Sequence, residues 1–178
     1  MYIWVGIDVD SQLSAIKEQT KKSEEAIGFA HSNFTLPLHV SLKISFNINE
    51  EDYEAIVSDI EDIYRRFDSF HIAVKGIECL DNICWIMMKK CEELNRLHDE
   101  LNGMLLEKHG IPLHEYDTDY KFHTTLFMDS DFDKVRAGYL SVRDCALPDT
   151  LLASRFVIGC SPTGALGSFK VVKVIERG

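Results

Sequence analysis

The chain has 178 residues, 46 % of them apolar, which suits one domain or two small lobes sharing a core and is far from the composition of a disordered chain. A formal charge of −10 speaks against the broad basic face that holds long nucleic acids, and favours a small phosphorylated ligand or a nucleic-acid end. No run approaches the roughly 20 apolar residues that span a bilayer. The opening MYIWVGIDVD reads as a first strand rather than a signal peptide, so a cytoplasmic protein without a membrane partner is expected.

In chain order, residues 2–9 alternate with Ile3, Val5, Ile7 and Val9 on one side, a strand pattern. Asp10 or Ser11 is placed to cap a polar helix from about 11 to 27, and Gly28 to stop it. The clearest strand is 38–46: Val40, Leu42, Ile44 and Phe46 form one face, and His39, Ser41, Lys43 and Ser45 the other. A helix opening near Asn49 and Asp52 follows a 3.6-residue period at 53, 56, 57, 60, 63, 64 and 67. Strands at 70–79 and 83–88 flank an Asp81-Asn82 turn.

A helix from about 90 to 109 buries Leu94, Leu97, Leu101 and Leu105 and ends at Gly110 and Pro112. After an irregular connection come a strand at 121–128, a helix near 131–143 capped by Ser130, and strands near 151–160 and 168–176. The order is strand-helix-strand-helix-strand, twice, plus a last strand. The expected class is α+β: a single bilobal domain over 1–178, built by internal duplication of halves near 2–79 and 83–160, with antiparallel-rich sheets flanking a central cleft.

Five cysteines without an export signal suggest a reducing compartment. None forms a C-x-x-C zinc pair. Cys79 and Cys84 are placed to face each other across a hairpin, where two buried thiols are expected.

LHVSLKI (38–44) and KFHTTLF (121–127) both carry His-x-(Ser/Thr)-Leu, once in the middle strand of each half. Composition predicts about 0.08 such matches by chance. Residues i and i+2 of a strand point the same way, roughly 6.5 Å apart, so an imidazole and a hydroxyl project into one space. A hydroxyl there can bind a phosphoryl oxygen while the imidazole reaches the attacking or leaving oxygen. Two such rows across a shared cleft supply the base and the acid of an in-line displacement, and a histidine serves either role near neutral pH. Lys43 and Lys121 lie on the same faces and are candidates to offset phosphate charge.

With YIWVGIDV, HVSL and FHTTL, and the order of elements, most of the chain resembles the two-histidine (2H) phosphoesterases, in particular the bacterial 2′-5′ RNA ligase-like branch. The resemblance implies a bilobal fold and metal-independent action on cyclic phosphates of nucleotides or RNA ends, with 2′-5′ joining as the reverse reaction. It implies His39 and His123 as the acid–base pair, Ser41 and Thr125 as phosphate-binding hydroxyls, and no cofactor. It departs from the pattern at Ser41, where Thr is commoner, and at Thr124, where an apolar residue usually packs inward.

Among the remaining histidines, His98 and His109 are expected at the surface, and His71 begins a strand without a partner motif. His31 and His114 lie in connections leading to the motif strands. Trp4, Phe34, Tyr116, Tyr120 and Phe127 are candidates to stack a base; core packing is the default for Trp4, and Tyr116 and Tyr120 stand out because their loop is polar. KEQTKKSEE (17–25) reads as a solvated helix face, and TGALGS (163–168) as a hairpin connection. Two rival readings stay open: a module that binds a phosphorylated ligand without turnover, and a metal hydrolase, although no H-x-x-x-H pair supports the latter. A monomer with a small nucleotide-like ligand or an RNA end as partner is expected.

Overall fold

A computed structural model describes residues 1–29, 36–165 and 167–177. His31 and Phe34 lie outside the described residues. Among the described residues, strands and α-helices follow in the order β1 (Tyr2–Asp8), α1 (Ser14–Ile27), β2 (His39–Asn47), α2 (Tyr53–Arg65), β3 (Phe70–Cys79), β4 (Ile83–Met88), α3 (Glu92–His109), β5 (His123–Met128), α4 (Phe132–Val142), β6 (Thr150–Ala153), β7 (Arg155–Ser161) and β8 (Lys170–Glu176). The fold is α+β, with two antiparallel four-stranded sheets ordered β2-β1-β7-β8 and β5-β4-β3-β6.

Each sheet borrows from the other half of the chain. β3 leaves the first half to pair with β4, and β7 leaves the second to pair with β1. The helices cross over too: α3 packs on β2, while α1 packs on α4 and β5. The stretch 151–160, expected as one strand, is two, because the chain changes sheet at Ser154. β6 closes against β3 and β7 against β1, so neither half can separate from the other without exposing sheet edges.

Local patterns act as read. α2 buries Ile56, Val57, Ile60, Ile63 and Tyr64 on one stripe, and α3 buries Leu94, Leu97, Leu101 and Leu105. Gly28 and Gly110 end α1 and α3 at φ +79° and +65°, the left-handed cap that glycine adopts without strain. Two caps differ. Asp131, not Ser130, caps α4, accepting from the backbone N–H groups of Asp133 and Lys134. Asp10 opens a short 3-10 turn before α1, and its carboxylate accepts from the N–H of Leu38 at 2.8 Å, which pins the entry to β2.

The β3–β4 hairpin sets Cys79 directly opposite Cys84 as free thiols, Cys84 buried and Cys79 half-buried. Burial pushes the Cys84 thiol up to about 12. Among the described residues no helix is long and apolar enough to cross a membrane.

Candidate active site

β2 and β5 are the outermost strands of their sheets, and they lie against each other, so the two motif strands face across the junction between the sheets. His39 lies opposite Asp8, and His123 opposite Met87. In each, ring Nδ1 donates to the backbone carbonyl two residues earlier: His39 to Pro37 at 2.8 Å, His123 to Lys121 at 2.6 Å. That bond assigns the proton to Nδ1 and leaves the Nε2 lone pair for chemistry. The same anchor appears on both strands.

Burial pushes the His39 imidazole down to about 4, against the raising effect of the Pro37 carbonyl; the charge of His123 lowers it further and Asp8 raises it. His123 is likewise lowered by burial, opposed by the Lys121 carbonyl. Both shifts favour the neutral imidazole near neutral pH.

Each ring is backed by one of the two tryptophans. Trp4 meets His39 at a ring-centroid distance of 4.1 Å, and Trp85 meets His123 at 4.4 Å. The two are not equivalent in register. Trp85 lies directly opposite Thr125, whereas Trp4 is two residues beyond Gly6, the partner of Ser41. Trp4 reaches its histidine only because Gly6 and Gly159 have no side chains: a Cβ would stand 2.8 Å from Trp4 at the first and 2.6 Å at the second. Sequence reasoning misses Trp85, since ICWIMM is apolar on both faces; the glycine at position 6 is the available signal for Trp4.

Both strands carry a bulge at the leucine of the motif. On β2, Gly6 opposes Ser41 and Val5 opposes Lys43, which makes Leu42 the extra residue; on β5, Trp85 opposes Thr125 and Cys84 opposes Phe127, which makes Leu126 the extra residue. A bulge sets two residues against one and re-aims the side chains beyond it. His39 and Ser41 therefore share a half-buried face that ends at Leu42, as His123 and Thr125 share one that ends at Leu126. Thr124 packs inward in the apolar residue's place, fully buried, and its hydroxyl has no partner among the described residues.

The bulge corrects the expectation for Lys43. Instead of extending the polar row, it turns inward, 2 % exposed, and donates to Asp117 and Asn102, both at 2.5 Å. Lys121 is exposed before β5. Tyr120 is also corrected: it is buried and stacks on His98 at 4.6 Å, whereas Tyr116 is 62 % exposed. His98 is buried rather than at the surface, its Nδ1 lying 2.7 Å from the Leu42 carbonyl. His109 bonds Asp59 at 2.8 Å, and His114 caps the 3-10 turn Glu115–Asp119. Phe127 is core, and His71 is exposed on β3.

One ion pair beside His39 has no sequence signal: Arg155 holds Asp8 at 2.9 Å and also Glu176. Among the described residues no group of three or more His, Cys, Asp or Glu side chains is placed to hold a metal.

The model of the 2′-5′ RNA ligase superfamily matches residues 10–142, well over half of the chain, and spans both motif strands. The chain belongs to that superfamily. Solved structures share the fold of this superfamily member along nearly its whole length. E. coli LigT in complex with 3′-AMP has 15 % identity and a TM-score of 0.61, covering 98 % of this chain and 97 % of that one. TT0787 of Thermus thermophilus has 16 % identity and a TM-score of 0.60, with 99 % and 97 % covered. A protein described as a phosphoesterase has 15 % identity and a TM-score of 0.61, with 98 % and 97 % covered. No curated protein matches the sequence.

Proposed function

We propose that this chain is a metal-independent phosphoesterase that opens 2′,3′-cyclic phosphates, or cleaves 2′-5′ linked ends, of nucleotides or RNA by two-histidine acid–base catalysis. The observation that carries the reading is the pair of identically anchored imidazoles on facing strands, each with Nε2 unpartnered among the described residues and a hydroxyl two residues on. Superfamily membership supports phosphoester or ligase chemistry, and the complexes of E. coli LigT with 3′-AMP and ATP support a nucleotide-sized ligand.

The anion is held between the motif strands, with the Ser41 and Thr125 hydroxyls donating to its non-bridging oxygens. One neutral imidazole takes a proton from water through Nε2 as the water oxygen bonds to phosphorus. The other, as imidazolium, gives its proton to the ribose oxygen as the phosphorus–oxygen bond breaks. Both rings return to their starting states after one proton exchange with solvent. With the hydroxyl of a second ribose in place of water, the same displacement joins that oxygen to phosphorus as the ring phosphorus–oxygen bond breaks, and its reverse cleaves a 2′-5′ linkage back to a cyclic phosphate. With Lys43 engaged elsewhere, the imidazolium and the exposed Lys121 are the cations left to meet the phosphate.

Turnover of 2′,3′-cyclic nucleotides in excess EDTA tests the reading. Wild type should be active, and His39→Ala and His123→Ala should each lose roughly 10²-fold or more, as expected for acid–base groups. Full activity in both variants overturns it. A ligand-induced thermal shift with no product from any cyclic phosphate would instead favour a binding module.

A further inference from the structure

We propose that the buried Lys43–Asp117 ion pair, joined by His98 and Asn102, is a positioning device that sets the first histidine strand against the segment leading to the second. Lys43 lies four residues after His39 on β2, and Asp117 six residues before His123. The ion pair spans the short path between the two motifs where the backbone hydrogen bonds of the sheets do not. Its distance is 2.5 Å with both side chains at most 2 % exposed.

α3 completes the device. The bulge at Leu42 frees that residue's carbonyl from the ladder, and His98 takes it, donating from Nδ1 at 2.7 Å. Asn102, one turn on, accepts from Lys43 through Oδ1 at 2.5 Å, and its Nδ2 lies 3.0 Å from His98 Nε2, which also stands 3.1 Å from the Asp117 backbone carbonyl. One continuous chain of polar contacts thus runs from Lys43 through Asn102 and His98 back to Leu42, the neighbour of Ser41, and His98 also reaches the backbone of Asp117. Asp117 is fixed in turn by the N–H of His114 at 2.8 Å, and Tyr120 and Phe122 pack on the His98 ring.

A buried charge pair is a costly way to fill a core and tolerates few geometries, which suits a part that sets a separation rather than one that only adds stability. On β5 Thr124 offers a buried hydroxyl without a partner among the described residues, and within the device the second carboxylate oxygen of Asp117 is likewise unpartnered. The device belongs to the first motif strand.

The inference rests on the acid–base reading only in its kinetic arm. Sulfate is the probe, since it reports whether the two histidine rows still converge on one anion without any chemistry. Lys43→Met combined with Asp117→Leu removes both charges while keeping apolar volume, and such replacements are often neutral for folding. Asn102→Ala cuts the link to α3 and leaves the ion pair in place. Expected are sulfate affinity about tenfold weaker in the double variant and about threefold weaker in Asn102→Ala, with kcat on a 2′,3′-cyclic nucleotide down at least tenfold and KM within about threefold. Wild-type sulfate affinity in folded samples of both variants overturns the inference. If wild type binds sulfate but turns over no cyclic phosphate, the catalytic reading fails and the sulfate arm still decides the positioning role.

Discussion

Trp4 stands edge-on to His39, ring centroids 4.1 Å apart and planes at 64°, on a floor made by two glycines. The indole excludes water from one side of the imidazole and blocks its rotation, while the Pro37 carbonyl holds Nδ1. Gly6→Ala should disturb both. Its Cβ would stand 2.8 Å from Trp4 and 3.0 Å from the Val40 carbonyl, and the second contact is with backbone. We expect about 1–3 kcal/mol of destabilisation in urea titrations, as for other overpacked sites, and a loss of kcat larger than the change in KM.

Trp4 and Trp85 are the chain's two tryptophans, and each touches one motif histidine. Intrinsic fluorescence should therefore report both protonations. Acid quenching in Trp85→Phe, which keeps Trp4, should follow His39 with a midpoint about 4, and in Trp4→Phe should follow His123 below 6.5. A phosphate-sized anion should move both midpoints upward. Titration curves unchanged by His39→Asn and His123→Asn would disprove the assignment.

The depressed basicity of His39 also sets the sign of two pH dependences. The folded ring stays neutral where the unfolded one takes a proton, so its contribution to stability is whole above pH 6.5 and falls as pH drops toward 4, by up to about 3 kcal/mol. His39→Gln should show a shallower decline over that window in denaturant melts. Anion binding runs the other way, because the bound anion favours imidazolium. Sulfate, which does not titrate here, should bind more tightly at pH 5 than at pH 7.5 by calorimetry, and this trend should vanish in the double asparagine variant.

Asp117→Asn tests whether Lys43 is structural or a ligand for phosphate. The change leaves an ammonium buried without its counter-charge, for which about 3–5 kcal/mol of lost stability is expected. A lysine free to bind phosphate would show no such loss. Chemical denaturation of the variant distinguishes the two.

The two loop tyrosines should separate just as cleanly. Tyr120→Ala opens a cavity beside His98 and should cost about 3–5 kcal/mol, while Tyr116→Ala at the surface should stay within about 0.5 kcal/mol of wild type. A base-stacking role for Tyr116 would appear as a raised KM for cyclic nucleotides and an unchanged one for a cyclic phosphate without a base.

Much of this is legible in the chain because it depends on near neighbours. Alternation at 38–42 puts His39 and Ser41 on one face, the period of α2 and α3 selects their buried leucines and isoleucines, and Gly28 and Gly110 stop helices through their own backbone freedom. The repeated His-x-(Ser/Thr)-Leu phrase marks both strands, and superfamily membership agrees with the resemblance it carries. Lys43 defeats such a reading because a bulge is a relation between two strands, visible only once β1 is set against β2. Tyr120 and His98 defeat it because each lies in polar sequence and is buried by ring contacts between α3 and the segment before β5, which are distant in the chain.

Local order, then, was written in the sequence: which segments alternate, which wind, and which carry an imidazole beside a hydroxyl. Which sheet takes β3 and β7, which tryptophan reaches which histidine, and which carboxylate captures Lys43 were decided by tertiary structure. Side-chain period is set by the geometry of one strand or helix, whereas partners are chosen by packing and charge between segments far apart in the chain, and no short window of sequence contains both members of those pairs.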